Sequence, residues 1–564
     1  MTWVASALAK YPELAVFLVV GLGCWLGRFK IAGIGLGPVT CSLLVGLAVG
    51  YFVDVPVAAT AKQILFLLFL FSIGFSVGPR FFSTMKGDGW RWVVLAVGMA
   101  LVGLATATFV ARYLGLDAGF AGGLLSGALT QSPAIGTASE AIRSLAIPPA
   151  EQDRLVAHVA VADALCYVYG TLGVILFCSQ VGPRLLGLDL AAEALKVEKD
   201  LGIDRRKPGV VSAWQPFEMR AYSLPAEAKV VGQTVGTTEA LIPEARLFIE
   251  RIRRGSALIV PEPSTILEAG DVVVASGRRS LLVETLGRAS ASEVEDQELL
   301  DIPIANYDIY VTDSRVIGRT LQDIATGVVD VRGVFLREIT RGGVAIPVAP
   351  NTALQRGDVV RVTGPEPAVL RAQRCLGPVV LPSESTDLVV LGLCIVLGGL
   401  IGIGVVLPVG TLRIALGTSV GTLIIGLIAG YAHSRHPVFG RIPEGALSLM
   451  TSLGLAAFVG MVGIGAGPHF LPALREAGLQ LLVGGVIVTT LPLVFGLYFG
   501  RYVLKLNPLL LMGGIAGAQT VTAAMAAVQE RAGSTVPVLG YSGTVAIGNI
   551  LLTTWGTIIV RLVT

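Results

Sequence analysis

The chain has 564 residues, 53% hydrophobic and only 14% charged, against roughly a quarter charged in an ordinary soluble domain. A net charge of +3 gives no electrostatic footprint for nucleic acid. Six cysteines without a CxxC pair or metal-ligand spacing point neither to zinc nor to a disulfide framework, and no cofactor motif stands in for them.

Charge is unevenly placed. Residues 13–178 and 386–564 are poor in it, while 179–385 hold most of the rest. A helix needs about 20 apolar residues to cross the hydrocarbon of a bilayer. Five stretches of the first half fit: 13–29, 33–53, 62–79, 91–112 and 155–178. The first of these has no small-residue cleavage site ahead of soluble sequence, so it is read as a retained helix rather than a signal peptide. Between the fourth and fifth lies an extra Gly-rich stretch, 119–142, interrupted by polar residues and read as broken or re-entrant.

The middle of the chain repeats itself. Thr265-Ile-Leu-Glu-Ala-Gly270-Asp271 parallels Thr352-Ala-Leu-Gln-Arg-Gly357-Asp358. Upstream, Val231-Gly232-Gln-Thr234 parallels Ile317-Gly318-Arg-Thr320, and Arg254-Gly255 parallels Arg341-Gly342. The β-branched runs after each Gly-Asp turn read as strands, so each copy is a small α+β module.

The second half supplies five more spans, 386–404, 411–431, 446–466, 478–500 and 537–560, with a second broken stretch at 507–530. Its motifs follow the order of the first half: Gly46-Leu-Ala-Val-Gly50-Tyr51 with Gly426-Leu-Ile-Ala-Gly430-Tyr431, Gly74-x-x-x-Gly78-Pro79 with Gly463-x-x-x-Gly467-Pro468, and Gly127-Ala128-Leu129-Thr130 with Gly517-Ala518-Gln519-Thr520. An odd number of crossings per half makes the second copy enter from the opposite face, an inverted repeat of the kind secondary transporters use. Arg28, Lys30, Arg80, Lys86, Arg91, Arg435, Arg441, Arg501 and Lys505 fall on one side if the N-terminus is outside. The positive-inside rule then puts both termini outside and the central modules in the cytoplasm.

The expected fold class is therefore a polytopic α-helical membrane protein with inverted 5+5 repeats and broken or re-entrant segments around central tandem α+β modules. Its segments are 1–180, 181–300, 301–378 and 379–564, with a lipid bilayer as partner. This layout, with V-x-G-x-T, R-x-G and T-x-L-x-x-GD twice in the insert, resembles the aspartate:alanine exchanger family of bacterial transporters. The modules look like the C-terminal lobe of potassium-uptake regulators, TrkA-C or RCK-C. The resemblance implies a bacterial inner-membrane antiporter taking aspartate in for alanine out. A C4-dicarboxylate exporter of the same family and a ligand-gated channel stand as alternatives. It further implies a homodimer, and modules that bind a small regulatory ligand or serve structure alone.

A small anionic amino acid or dicarboxylate needs donors at mid-membrane, which broken helices supply. Thr130, Gln131 and Ser132 meet that need in the first half, with Pro133 favouring a break. Gln519, Thr520 and Thr522 meet it in the second. The second stretch lacks the proline, so the two breaks need not be equivalent. Ionisable groups inside spans are costly and default to function. Asp163 suits a substrate ammonium group or a coupling proton, and equally a paired structural carboxylate or one near the outer interface. His158 is expected nearer the surface. Arg413, opening the seventh span, suits a substrate carboxylate or snorkels to the interface. Asn549 suits substrate contact or helix–helix glue. The GxxxG patterns at Gly46, Gly74, Gly417, Gly426 and Gly463 are expected to set helix packing.

Overall fold

A computed structural model describes residues 2–29, 37–84, 89–201, 217–240, 247–278, 292–325, 331–341, 344–379, 386–409, 412–415, 417–435 and 440–564. Lys30, Lys86 and Gly342 lie outside them, as do the side chains of Arg80, Arg413 and Arg435. The chain divides into two compact units. One joins Met1–Val197 with Pro382–Thr564, and the other is Glu198–Leu381.

In the first unit most apolar runs become helices, because a helix satisfies its own backbone where no water is available. The first half gives α1 (Thr2–Lys10), α2 (Pro12–Leu26), α3 (Gly37–Phe52), α4 (Ala59–Thr84), α5 (Trp90–Tyr113), α6 (Ala118–Ala128), α7 (Pro133–Arg143) and α8 (Pro149–Leu176). The second gives α9 (Leu388–Gly404), α10 (Gly417–Arg435), α11 (Glu444–Ala466), α12 (Phe470–Tyr498), α13 (Pro508–Ala518), α14 (Thr522–Ala532) and α15 (Val538–Val563). Among the described residues, five helical stretches are long and apolar enough to cross a membrane alone, while α3, α6, α9 and α13 are shorter apolar helices. Two features depart from the expected spans. The chain bends by 110° between α1 and α2, where Pro12 opens the second helix. The seventh span begins later than expected: Val406–Val409 pairs antiparallel with Leu412–Ala415, and α10 starts only at Gly417. A short β-branched apolar run satisfies a hairpin as well as a helix, and Pro408 disfavours the latter.

The helices pack in two groups. α2, α3 and α4 pack on α9, α10 and α11, whereas α5, α6, α7 and α8 pack on α12, α13, α14 and α15. Glycine allows the closest approaches. A Cβ on Gly74 would lie 2.4 Å from the Leu423 carbonyl oxygen, and one on Gly430 2.0 Å from that of Phe75. This locks α4 to α10 through opposed small-residue faces. Gly123 and Gly127 press α6 onto α8 in the same way, 2.2 and 2.6 Å from the carbonyl oxygens of Val159 and Asp163. Gly513 and Gly517 press α13 onto α15, 2.0 and 2.6 Å from those of Pro537 and Tyr541.

The second unit holds two antiparallel sheets. Strands β1 (Phe217–Ser223), β2 (Phe248–Arg254), β3 (Ala257–Ile259), β4 (Val272–Arg278) and β5 (Ser292–Val294) order as β3-β2-β4-β1-β5. Strands β6 (Ile304–Tyr310), β7 (Phe335–Arg341), β8 (Val344–Ile346) and β9 (Asp358–Pro365) order as β6-β9-β7-β8. The repeated motifs do the same work in each. Arg254 forks onto Asp271 with both nitrogen–oxygen distances 2.9 Å, and Arg341 onto Asp358 at 2.7 and 2.8 Å. Both aspartates are buried and also accept a backbone N–H, from Glu268 and Gln355. Gly270 and Gly357 turn into these strands at φ +88° and +90°, a region that favours glycine. The two modules contact each other: Arg332 of the second forks onto Glu239 of the first and lies over the Phe248 ring.

Candidate substrate site at the crossing of two broken helices

Both Gly-rich stretches break at a threonine. α6 ends at Ala128 and α7 begins at Pro133; α13 ends at Ala518 and α14 begins at Thr522. Thr130 sits at φ 55° and Thr520 at φ 58°. This left-handed conformation is a true outlier for a β-branched residue and costs roughly 1–3 kcal/mol, which surrounding structure must offset. The second stretch reaches the same threonine conformation without a proline, but the entries to the next helix differ: Ser132 before α7 is helical (φ −52°, ψ −31°), whereas Val521 before α14 is extended (φ −97°, ψ 93°).

The breaks meet. The Thr130 hydroxyl lies 2.7 Å from the Gln519 carbonyl oxygen and equally close to that of Leu129. The Thr520 hydroxyl donates to Gln131 Oε1 at 2.9 Å. Gln131 Nε2 in turn donates to the Thr553 hydroxyl at 2.8 Å and lies 3.5 Å from Asn549 Oδ1. Asn549 Nδ2 bonds back to the Val545 carbonyl. Thr130, Gln131, Ser132 and Gln519 are buried, and Gln519 Oε1 is a buried acceptor with no hydrogen-bond partner among the described residues. A buried polar atom left unpaired costs about 1–3 kcal/mol, so it marks a place where a ligand's donor would be welcome.

Other expected residues sit around this crossing. Asp163 is fully buried near the middle of α8, where its carboxylate accepts from Ser126 at 2.6 Å and is given no cation among the described residues. Thr522 opens α14 and shares a hydrogen bond with the Tyr541 phenol at 2.9 Å. Pro133 occupies the first position of α7, with Ser132 preceding it. Arg413 is not at a helix start: its backbone pairs with Pro408 in the hairpin before α10. His158 is buried rather than near the surface, stacked on Phe120 and 2.7 Å from Asp117, the residue that caps α6.

Several polar residues at the site were not singled out from the sequence. Tyr167 lies one turn along α8 from Asp163. Thr489 of α12 donates to the Ala128 carbonyl that the first break exposes, at 2.8 Å. Glu140, near the end of α7, reaches the other helix group and accepts from the backbone N–H and hydroxyl of Thr418, each at 2.7 Å. It thereby holds a carboxylate at the N-terminus of α10, where the helix dipole favours negative charge. A spacing argument finds none of these, since a threonine that faces a site and one that bonds back to its helix are the same letter. Only Glu140, an acid inside a broken apolar stretch, carried a signal.

Comparison with known proteins places this architecture. Residues 15–183 and 390–561 match the aspartate–alanine exchanger model, described as a predicted permease membrane region, and residues 219–285 and 307–377 each match the TrkA-C domain. An uncharacterized transporter of Bradyrhizobium diazoefficiens is 52% identical over 92% of this chain and 100% of its own length. One from Shewanella oneidensis is 36% identical over 100% of both chains. One from Bordetella bronchiseptica is 38% identical over 99% of this chain and 98% of its own.

Proposed function

The chain belongs to the aspartate–alanine exchanger permease family and carries two TrkA-C domains; from that membership we propose that it is a secondary antiporter exchanging an acidic amino acid for alanine. It is a multi-pass membrane transporter; the substrate pair and the exchange mode are the proposal. The observation that carries it is the meeting of two helix breaks at Thr130 and Thr520. The breaks present the positive ends of α7 and α14, which suit carboxylates. Asp163 and the unpaired Gln519 Oε1 are acceptors, which suit an ammonium group. That combination favours an amino acid over a C4-dicarboxylate, which has no ammonium group to offer them.

The mechanism follows from the grouping of helices. Both breaks belong to the α5–α8 and α12–α15 group. Alternating access then consists of this body moving against the α2–α4 and α9–α11 body, with the substrate carried between the faces. In this reading the two halves enter the bacterial inner membrane from opposite sides, the basic residues orient both termini outside, and the TrkA-C modules lie in the cytoplasm. The direct test is counterflow. Proteoliposomes loaded with alanine are expected to accumulate labelled aspartate, and empty ones to accumulate none. Equal uptake with and without internal alanine rejects the exchange reading.

A further inference from the structure

Past its end, α8 loses its regular pitch. Pro183 has no N–H to give the Ser179 carbonyl, and its ring would clash there. The chain widens instead into a π turn over Phe177–Val181, in which the Gly182 N–H reaches the Phe177 carbonyl. Such bulges recur at functional sites. This one packs on α14 and borders a cavity of about 330 Å³. Arg184, just past the turn, lines the cavity from the first half of the chain, and Arg531, in the last turn of α14, lines it from the second. Arg112, Arg143, Arg154 and Arg561 of the same unit each have a partner. The guanidinium groups of Arg184 and Arg531 have none among the described residues. Asp189, the carboxylate in the wall, is engaged elsewhere: it accepts the Ala191 N–H at 2.9 Å at the start of the helix Leu190–Leu201.

We propose that this cavity binds a phosphate group between Arg184 and Arg531. Guanidinium forks match phosphate oxygens in charge and in geometry. Two guanidiniums against one carboxylate leave a single positive charge in excess, which a phosphodiester monoanion neutralises. Arg184 is the penultimate residue of Pro149–Leu185, a stretch long and apolar enough to cross a membrane. The site therefore lies where hydrocarbon gives way to headgroups, the level at which basic pockets between helices recognise anionic phospholipids. Leu188 and Leu190 in the same wall offer apolar contact to the rest of such a lipid. A soluble phosphate presents the same oxygens. Either ligand ties the end of α8, the helix that carries Asp163, to the end of α14, the helix that opens at the second break. The site does not depend on the identity of the transported substrate.

The test titrates the full chain, delipidated in detergent, and reads its Tm. Dihexanoyl phosphatidylglycerol is the lipid probe and inorganic phosphate the soluble one. A saturable rise in Tm is expected, and Arg184→Gln and Arg531→Gln are each expected to weaken the apparent Kd about tenfold or more, the effect of a lost hydrogen bond between charged groups. Both arginines are exposed, so these variants should keep the wild-type Tm without probe. Arg184→Lys and Arg531→Lys, which keep the charge and lose the fork, replace any variant that does not, and are expected to weaken the Kd as well. Arg501→Gln, which removes an exposed arginine outside the cavity, is expected to leave the Kd unchanged. Saturation by the lipid alone identifies a headgroup, and saturation by inorganic phosphate with the same dependence on both arginines identifies a soluble ligand; each supports the site. No rise in Tm with either probe, undiminished binding in the cavity variants, or equal weakening by Arg501→Gln overturns it.

Discussion

The Thr130 hydroxyl lies 2.7 Å from the main-chain oxygen of Gln519, a residue 389 positions away. One broken helix thus completes the hydrogen bonding of the other, and the strain of the two left-handed threonines is offset by their bonds to Gln519 and Gln131 of the opposite break. Neither break is self-sufficient. Removing either hydroxyl disturbs both, which is the physical content of calling the crossing a single site.

Thr130→Val and Thr520→Val keep the β-branch and delete the hydroxyl. Each is expected to lower aspartate uptake about tenfold or more, with expression and membrane insertion near normal, because each forfeits a buried hydrogen bond at the site and none in the scaffold. The double variant is expected to lose less than the product of the two, since both act on one interlocked unit. Initial rates of counterflow for the four proteins measure this.

Glu140→Gln weakens a contact that joins the two helix groups, between α7 and the N-terminus of α10, and that their movement apart would break. Losing the charge at a helix N-terminus is worth about 1 kcal/mol, so the balance of conformations should shift about fivefold away from the one described. A cysteine replacing Ser139, which is 8% exposed, is expected to react correspondingly faster with a membrane-permeant thiol reagent in the Glu140→Gln background. An unchanged rate separates Glu140 from the movement of the two bodies.

Much of this architecture was legible because its causes are local. Long apolar runs have few alternatives to helix in a bilayer, and Gly-Asp after a Thr-x-Leu start has a turn and a strand as its natural outcome. Arg254–Asp271 and Arg341–Asp358 explain why that repeated signature was worth reading. What escaped was decided by tertiary neighbours. The hairpin before α10 looked like the start of a helix because a short apolar run serves both. Arg413 moved with it. The left-handed threonine of the second break had no proline to announce it.

The same signature predicts unequal energetics in the two modules. Arg341 is 12% exposed as a side chain and Arg254 is 32% exposed, while both partner carboxylates are 1% exposed. Truncating the more buried partner leaves Asp358 ionised in the interior, at a cost of about 3 kcal/mol. Arg341→Ala is expected to speed amide exchange along β9 about a hundredfold, and Arg254→Ala to speed exchange along β4 by less. Hydrogen–deuterium exchange of the two strands decides it, and equal effects would contradict the burial argument.

Glu250, in the first module, has its carboxyl pushed above the usual range, first by burial, with the Ser276 hydrogen bond and the Arg332 charge opposing. Its folded pKa exceeds the unfolded one, so folding favours the protonated form. That contribution is complete below the ordinary carboxylate range and is lost as pH rises through the folded value. Glu250→Gln is therefore expected to raise the Tm of the module transition at pH 7.5 and to gain little at pH 4. A variant less stable than wild type at pH 7.5 would show instead that the ionised carboxylate is needed by Arg332.

The most direct test of a shared site at the two breaks is substrate protection. In a chain whose six native cysteines are replaced and whose counterflow survives, cysteines are introduced singly at Gln131 and Gln519. Saturating aspartate is expected to slow alkylation at both positions about tenfold or more, and to leave a lipid-facing control on α5 unaffected. Protection at only one of the two, or at neither while counterflow persists, would place the substrate somewhere other than the crossing.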